Sequence, residues 1–299
     1  MRSALSDGWG RLLTGLWRRV RRIHEEILNS PPERGSGLSA AQSNELAVEL
    51  RRASLAVKAV AVKAVEMWDV GSLDYSSVRL SEEYQILTVL SRRLGRVDLS
   101  SLGGAGRQAF WINVYNALVI DGLVRFGLRE RMDELRGGLP GFYLRAGYDV
   151  GGMRFSPDEI EHGLLRANRG HGQLPGTQFA PSDPRTALCV VEVDPRVHFV
   201  LHCGAESCPA VGVVYADSLD AQLNAATRGY LNGPGGVSFE RKSRQVIVPA
   251  FMDWSAVDFG SRAELLRFTA RHLDDAGVAE ELLAGPVRLG FREYDWSLG

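Results

Sequence analysis

The chain has 299 residues, enough for one large domain or two smaller ones. Its 35 Lys and Arg residues nearly balance 36 Asp and Glu residues, for a net charge of −1. This balance argues against a dedicated nucleic-acid-binding protein, since such proteins usually carry a strongly basic face. The apolar fraction of 45% is too high for a disordered chain.

No stretch reaches about 18 consecutive apolar residues, so the sequence predicts no membrane-spanning helix. Arginines interrupt residues 1–30 throughout, which is unlike the apolar core of a secretory signal peptide. The 3 cysteines are too few for a disulfide framework, and one of them must stay unpaired. These features favour a cytoplasmic protein in a reducing compartment.

Residues 9–28 have apolar side chains at helical spacing and a second face rich in arginine. We expect an amphipathic helix that docks on its own domain or, as the alternative, contacts an anionic membrane surface or a partner protein. The composition of residues 29–37, NSPPERGSG, is typical of a linker. The predicted organisation is therefore a helix and linker over 1–37 and a single domain over 38–299.

A long helix is predicted over 39–69 and a second over 107–126. The second is apolar nearly all round, which indicates a helix buried on most sides. Asn113 and Asn116 share one of its faces. A buried amide without a partner costs roughly 1–3 kcal/mol. Each amide therefore needs a partner, either the backbone of a neighbouring loop or a group of a functional site.

A short hairpin is predicted over 142–155, with its turn at Gly151-Gly152. The sequence SPDE at 156–159 then predicts a helix start, because serine caps the helix, proline fits the first turn and glutamate completes a capping box. His162 and Arg166 lie four residues apart and share a face of this helix.

The run VHFVLH over 197–202 is rich in β-formers and predicts a strand with His198 and His202 on one face. Cys189 lies in a second strand-like run, 187–193, and is expected in the core. Glycine and proline bracket a loop over 203–209. Further elements are expected at 216–231 (helix), 237–248 (hairpin) and 262–274 (helix).

Together these elements predict an α+β fold. We expect a mainly antiparallel sheet packed against the buried central helix, with an N-terminal helical extension.

The chemistry of the sequence is concentrated in the run H-x-x-x-H-C-x-x-x-x-C-P over 198–209. The thiolate is the nucleophilic form of cysteine, and a nearby imidazole lowers the pKa of the thiol and acts as a general base. This combination predicts a cysteine-dependent hydrolase or acyl-transferase that acts on a small molecule or a peptide. The candidate catalytic residues are Cys203 and Cys208 as nucleophiles, His162 and His198 as bases, and Asn113 and Glu161 as the groups that orient the base.

Three other interpretations remain open. Cys203 and Cys208 could bind zinc with two histidines, but on a strand His198 and His202 would lie about 13 Å apart. The two cysteines could form an exchangeable disulfide, although their spacing is not the C-x-x-C of thioredoxin-like proteins. In a binding or scaffold domain the same cluster would be structural, with buried cysteines and histidines bonded to the backbone. We predict no resident metal or cofactor.

Four motifs stand in order along the chain: AFWINVYNAL at 109–118, IEHGLLR at 160–166, DPRVHFVLHCGAESCP at 194–209 and YDWSL at 294–298. With them, the segment 74–298 resembles the family catalogued as domain of unknown function 547. The resemblance implies an uncharacterised domain without a defined activity. Its pattern has a small or amide residue at the position of His202, which is therefore not a candidate. The motifs add four binding-site candidates: Asn116, Arg166, Ser207 and Asp295.

Overall fold

The computed structural model describes residues 25–68, 73, 75, 77–135, 138–171 and 176–299. It confirms the α+β class. The helices are α1 (Ala40–Trp68), α2 (Glu82–Arg93), α3 (Gly104–Phe126), α4 (Gly138–Arg145), α5 (Leu219–Leu231), α6 (Phe251–Trp254), α7 (Ala256–Phe259), α8 (Arg262–His272) and α9 (Ala276–Leu283). The strands are β1 (Glu26–Ile27), β2 (Ala146–Val150), β3 (Met153–Phe155), β4 (Ser238–Glu240), β5 (Gln245–Val248) and β6 (Arg288–Phe291).

The strands form two small sheets, in the orders β1-β2-β3 and β4-β5-β6. In the first, β1 is parallel and β3 antiparallel to β2. In the second, β4 is antiparallel and β6 parallel to β5. The expectation of one mainly antiparallel sheet is therefore wrong, because each small sheet is mixed.

Helix α3 is the centre of the larger hydrophobic core, as its sequence predicts. Every residue from position 109 to position 124 is buried, and the long helix α1 packs along it. The helix ends at Gly127, which adopts a left-handed conformation with φ of 65°. Glycine suits this position because it has no Cβ to clash. A second buried cluster gathers residues from α5 to α9 and β5 around Phe199.

The predicted helix over 9–28 does not extend to its expected end. Glu26 and Ile27 instead form β1, and residues 1–24 lie outside the described part of the chain. Asn29, at the start of the predicted linker, is fully buried. Its side chain donates to the carbonyls of Ser91 and Asp149, each at 2.9 Å, and accepts from the Asp149 N–H at 2.9 Å. This amide therefore attaches the N-terminal segment to α2 and β2.

Both strand predictions over 187–202 are wrong. The chain forms two 3₁₀ helices there, Pro184–Leu188 and Pro195–Phe199. Each helix begins at the proline of an Asp-Pro-Arg sequence. The aspartate side chain accepts from the backbone N–H of the arginine, at 2.9 Å for Asp183 and 3.0 Å for Asp194. This side-chain turn and the fixed φ of proline outweigh the β-propensity of VHFVLH.

The helix start at SPDE is confirmed. The Glu159 N–H donates to Ser156 Oγ at 3.2 Å, and the Ser156 N–H donates to Glu159 Oε2 at 2.9 Å. The segment Glu159–Leu165 then winds as a π-helix, which we call the π segment. Within the described ranges, no helix combines the length and the apolar character needed to cross a membrane.

Replacing Asn29 with alanine should lower the free energy of unfolding by roughly 1–3 kcal/mol. The substitution removes the side-chain acceptor of the buried Asp149 N–H and one hydrogen bond from each of the Ser91 and Asp149 carbonyls. Urea denaturation measures this change. Asn224→Ala is the matched control: its side chain makes an exposed contact at 3.4 Å to Asp220, and we expect a change within about 0.5 kcal/mol. Equal effects of the two substitutions would contradict the assigned role of Asn29.

Candidate active site

The two asparagines of α3 hold backbone segments that pass over the helix. Asn113 donates to the Val214 carbonyl at 2.7 Å and accepts from the Val214 N–H at 3.0 Å. Asn116 donates to the Val200 carbonyl at 2.8 Å and accepts from the His202 N–H at 2.7 Å. Of the two sequence-based alternatives, the structure shows the backbone partner. The two amides thus position the chain on both sides of the cysteine loop.

The cysteine loop, residues 203–209, is closed by a disulfide between Cys203 and Cys208. Neither sulfur is a free thiol in this state, contrary to the expectation of reduced cysteines. Cys189 is the free cysteine, only partly buried rather than in the core, and burial raises the pKa of its thiol to about 11. Among the described residues, no hydrogen bond joins a histidine to either sulfur, so the Cys/His pair stays a prediction for the reduced protein.

The cysteine loop is bonded to the C-terminal segment. The Glu206 N–H donates to the Ser297 carbonyl at 2.7 Å. The Asp295 N–H donates to Ser207 Oγ at 2.9 Å, and the Ser207 N–H donates to the Asp295 carbonyl at 3.4 Å. The structure therefore brings the two candidates Ser207 and Asp295 together, through contacts that fix the loop.

The π segment places Glu161 and His162 side by side. Glu161 Oε2 accepts from the Tyr115 hydroxyl at 3.1 Å. Glu161 Oε1 lies 4.0 Å from Nδ1 of His162 and 4.0 Å from Nδ1 of His198. Four candidates lie outside the cysteine loop, α3 and the C-terminal segment, and the structure makes all four near neighbours: Glu161, His162, Arg166 and His198.

Asp258, on the short helix α7, holds this group together. Its side chain is fully buried. Asp258 Oδ2 lies 2.9 Å from His198 Nε2 and also accepts from Arg166 Nε, while Oδ1 accepts from Arg169 at 3.0 Å. Burial by itself would raise the pKa of Asp258, but hydrogen bonds from His198 and Arg166 outweigh it and hold that pKa below its ordinary value. The carboxylate is therefore ionised, and an ionised carboxylate can only accept hydrogen bonds. Nε2 of His198 must therefore carry the proton of the hydrogen bond to Asp258.

Arg166 connects the two histidines. Its Nε shares Asp258 Oδ2 with His198, and its Nη1 lies 2.8 Å from His162 Nδ1. Nη1 also donates to the Gly170 carbonyl at 2.8 Å. The remaining nitrogen, Nη2, is buried and has no hydrogen-bond partner among the described residues. Among the described residues, Arg166 thus keeps one unused donor within the network that joins His162 and His198.

His162 is neutral at physiological pH. Burial lowers its pKa to about 3, and Arg166 adds to this effect against the opposing charge of Asp158. His202 behaves similarly at a different place: burial lowers its pKa to about 3, and Lys58, 3.2 Å from its Nε2, adds to the lowering. His202 Nδ1 faces the Pro209 carbonyl at 3.2 Å, so this histidine supports the loop and lies apart from Asp258.

The described residues contain no group of three or more His, Cys, Asp or Glu side chains that could hold a metal ion. The zinc alternative therefore has no support from the geometry of this part of the chain.

Residues 99–231 match a family model described as "Protein of unknown function, DUF547". This segment of the chain is similar to the family. The match is shorter than the segment 74–298 that carries the resemblance, and Asp258 and the YDWSL motif lie beyond it. No curated protein and no solved structure matches the chain. The DUF547 match contains both α3 asparagines, the π segment, His198 and the cysteine loop.

No sequence motif marks Asp258, which stands in the stretch FMDWSAVDF. Tyr294 is not among the sequence-based candidates, although it opens the YDWSL motif and precedes the candidate Asp295. The structure places the Tyr294 hydroxyl 3.0 Å from Cys203 Sγ and 3.1 Å from Cys208 Sγ.

Acid should destabilise the folded protein through its buried neutral histidines. The unfolded chain protonates a histidine near pH 6.5 and the folded protein protonates His202 only near pH 3. The contribution of His202 to the free energy of unfolding is therefore fully present above pH 6.5, and it is lost progressively as the pH falls from 6.5 toward 3. For one such histidine the loss between pH 7 and pH 5 is about 2 kcal/mol.

We expect His202→Gln to reduce that pH-dependent loss by about this amount, as measured by urea denaturation at both pH values. His171→Gln, which changes a partly exposed imidazole, is the control and should keep the wild-type dependence. An unchanged pH dependence in His202→Gln would show that His202 is not held neutral.

Proposed function

We propose that the domain is a hydrolase or acyl-transferase for a small-molecule or peptide carbonyl substrate, with His198 as its general base. The observation that carries this proposal is the 2.9 Å contact of His198 Nε2 with the buried, ionised Asp258. Because Nε2 donates its proton to Asp258, Nδ1 of the neutral imidazole is free to accept a proton. Nδ1 is the ring nitrogen on the side of Glu161. A carboxylate that fixes the tautomer and orientation of a histidine is the arrangement used in general-base catalysis.

The space between His198 and Glu161 suits a bound water or substrate hydroxyl. The distance of 4.0 Å between His198 Nδ1 and Glu161 Oε1 is too long for a hydrogen bond. An oxygen about 2.8 Å from each atom would bridge them. The Glu161 side chain is 21% exposed, so this position is open to solvent at one side. His198 would take the proton of the bridging oxygen as that oxygen attacks a carbonyl.

Arg166 would bind the negative charge that develops on the carbonyl oxygen. Its Nη2 is a buried donor that no described residue uses. Its guanidinium contacts His162 directly and is joined to His198 through Asp258 Oδ2. A donor held in a water-poor environment is an effective oxyanion partner, because it needs no reorganisation during the reaction. Asp258 holds Arg166 and His198 through the same oxygen, which fixes the base and the donor relative to each other.

Water is the nucleophile that this geometry favours. The sequence favoured Cys203, but its sulfur is bonded to Cys208. A Cys203 nucleophile requires reduction of that bond and a movement that brings the sulfur to an imidazole. The two routes are distinguishable, because only the cysteine route is lost in Cys203→Ser.

A scaffold role is the second candidate. Asp258 lies on α7, next to Phe259 of the second buried cluster, whereas His198, Arg166 and Arg169 come earlier in the chain. A network with one acceptor and three donors would join these parts without any catalysis. In that case, removing Asp258 would change stability, and no variant would change a reaction rate.

His198→Gln should lower kcat/KM for hydrolysis of p-nitrophenyl acetate by about 100-fold or more, the usual contribution of a general base. The assay should include an amide and a thioester probe, since the substrate class is a carbonyl compound. His202→Gln is the matched control, because it changes a buried neutral histidine outside the proposed site. Circular dichroism checks that both variants fold.

Two results would overturn the hydrolase proposal. One is equal turnover by wild type, His198→Gln and His202→Gln. The other is no turnover of any of the three probes by the wild type, together with a loss of stability in Asp258→Asn. The second result would favour the scaffold role.

A further inference from the structure

The two sulfurs of the cysteine loop differ in accessibility. Cys203 is partly exposed, whereas Cys208 is 9% exposed and belongs to the larger hydrophobic core. Of the two residues, Cys203 is therefore the more accessible to an external thiolate. Attack at one defined sulfur is a property of disulfides that exchange with an outside partner.

The sulfur that would leave is surrounded by hydrogen-bond donors. The backbone N–H of Cys203 lies 2.9 Å from Cys208 Sγ, and the Tyr294 hydroxyl lies 3.1 Å from it. The same hydroxyl lies 3.0 Å from Cys203 Sγ. Donors of this kind stabilise a thiolate, and a more stable thiolate leaves faster. Burial raises the pKa of Tyr294 above its ordinary value, so its hydroxyl keeps its proton.

The loop does not depend on the disulfide for its conformation. Besides the contacts of Glu206 and Ser207 with the C-terminal segment, the Gly299 N–H donates to the Gly204 carbonyl at 3.1 Å. The Tyr143 hydroxyl donates to the Cys203 carbonyl and the Tyr230 hydroxyl to the Ser207 carbonyl, each at 2.7 Å. The cross-link spans a sequence separation of only 5, so it restricts the unfolded chain little. The loop can therefore keep its shape when the sulfur–sulfur bond opens.

We propose that Cys203 and Cys208 form a thiol–disulfide exchange site whose co-substrate is a dithiol. A thiolate of the dithiol attacks Cys203 Sγ, the bond between the two cysteine sulfurs breaks, and Cys208 leaves as a thiolate. The second thiolate of the dithiol then attacks the mixed disulfide and releases Cys203. The protein disulfide gains two electrons and becomes a dithiol, and the co-substrate becomes a disulfide. This activity is independent of the proposed hydrolysis.

The test is reduction of the native full-length protein by dithiothreitol, with quenching by iodoacetamide and mass spectrometry of the two cysteines. We expect complete reduction while the circular dichroism spectrum stays that of the folded protein. Tyr294→Phe should slow reduction by about tenfold, because the leaving thiolate loses a hydrogen bond. It should also move the pH profile of cysteine alkylation to higher pH, an effect that a purely structural role of Tyr294 would not produce.

Tyr230→Phe is the matched control, since it removes a hydroxyl that bonds the same loop without touching a sulfur. It should keep the wild-type rate and pH profile. In a second experiment, Cys208→Ser treated with glutathione disulfide should collect glutathione on Cys203, and Cys203→Ser should collect none on Cys208. A disulfide that opens only on unfolding, equal rates in Tyr294→Phe and Tyr230→Phe, or equal labelling of the two serine variants would each overturn the proposal.

Discussion

The buried amides of α3 are the constraint on which the rest of the molecule depends. A helix surrounded by the core cannot leave asparagine side chains without partners, since each unpaired amide costs roughly 1–3 kcal/mol. Asn113 and Asn116 meet this requirement by bonding the backbone at Val214, Val200 and His202. The chain on both sides of the cysteine loop is thereby fixed to one rigid helix. These anchors also limit where the neighbouring residues can lie, including His198 and both cysteines.

A second constraint comes from the charge of Asp258. A carboxylate without solvent exposure requires strong partners, because an unpaired buried charge is far more costly than an unpaired amide. His198, Arg166 and Arg169 provide them. The cost of burying this charge thus fixes the tautomer of His198. One donor of Arg166 has no partner among the described residues. The four side chains of this network contribute to the fold as well as to the proposed chemistry.

Local sequence patterns predict correctly those parts of the fold that depend on interactions between residues close together in the chain. The all-round apolar sequence of α3, the capping box of Ser156 and Glu159 and the turn at Gly151-Gly152 each describe what the chain does there. VHFVLH was misleading, because a side-chain turn at Asp194 competes with β-propensity. Asp258 could not be found in this way: its partners lie 60 residues or more away in the chain, and only folding brings them together.

The contact with Asp258 should make Nδ1 of His198 a proton acceptor, and the tautomer of that imidazole tests this most directly. Nitrogen-15 NMR of histidine-labelled protein distinguishes the two ring nitrogens of a neutral imidazole, with His198→Gln identifying the signal. We expect a protonated Nε2 and an unprotonated Nδ1 in the neutral imidazole. A protonated Nδ1 would contradict this expectation, because the nitrogen facing Glu161 would then be a donor and could not accept a proton from a nucleophile.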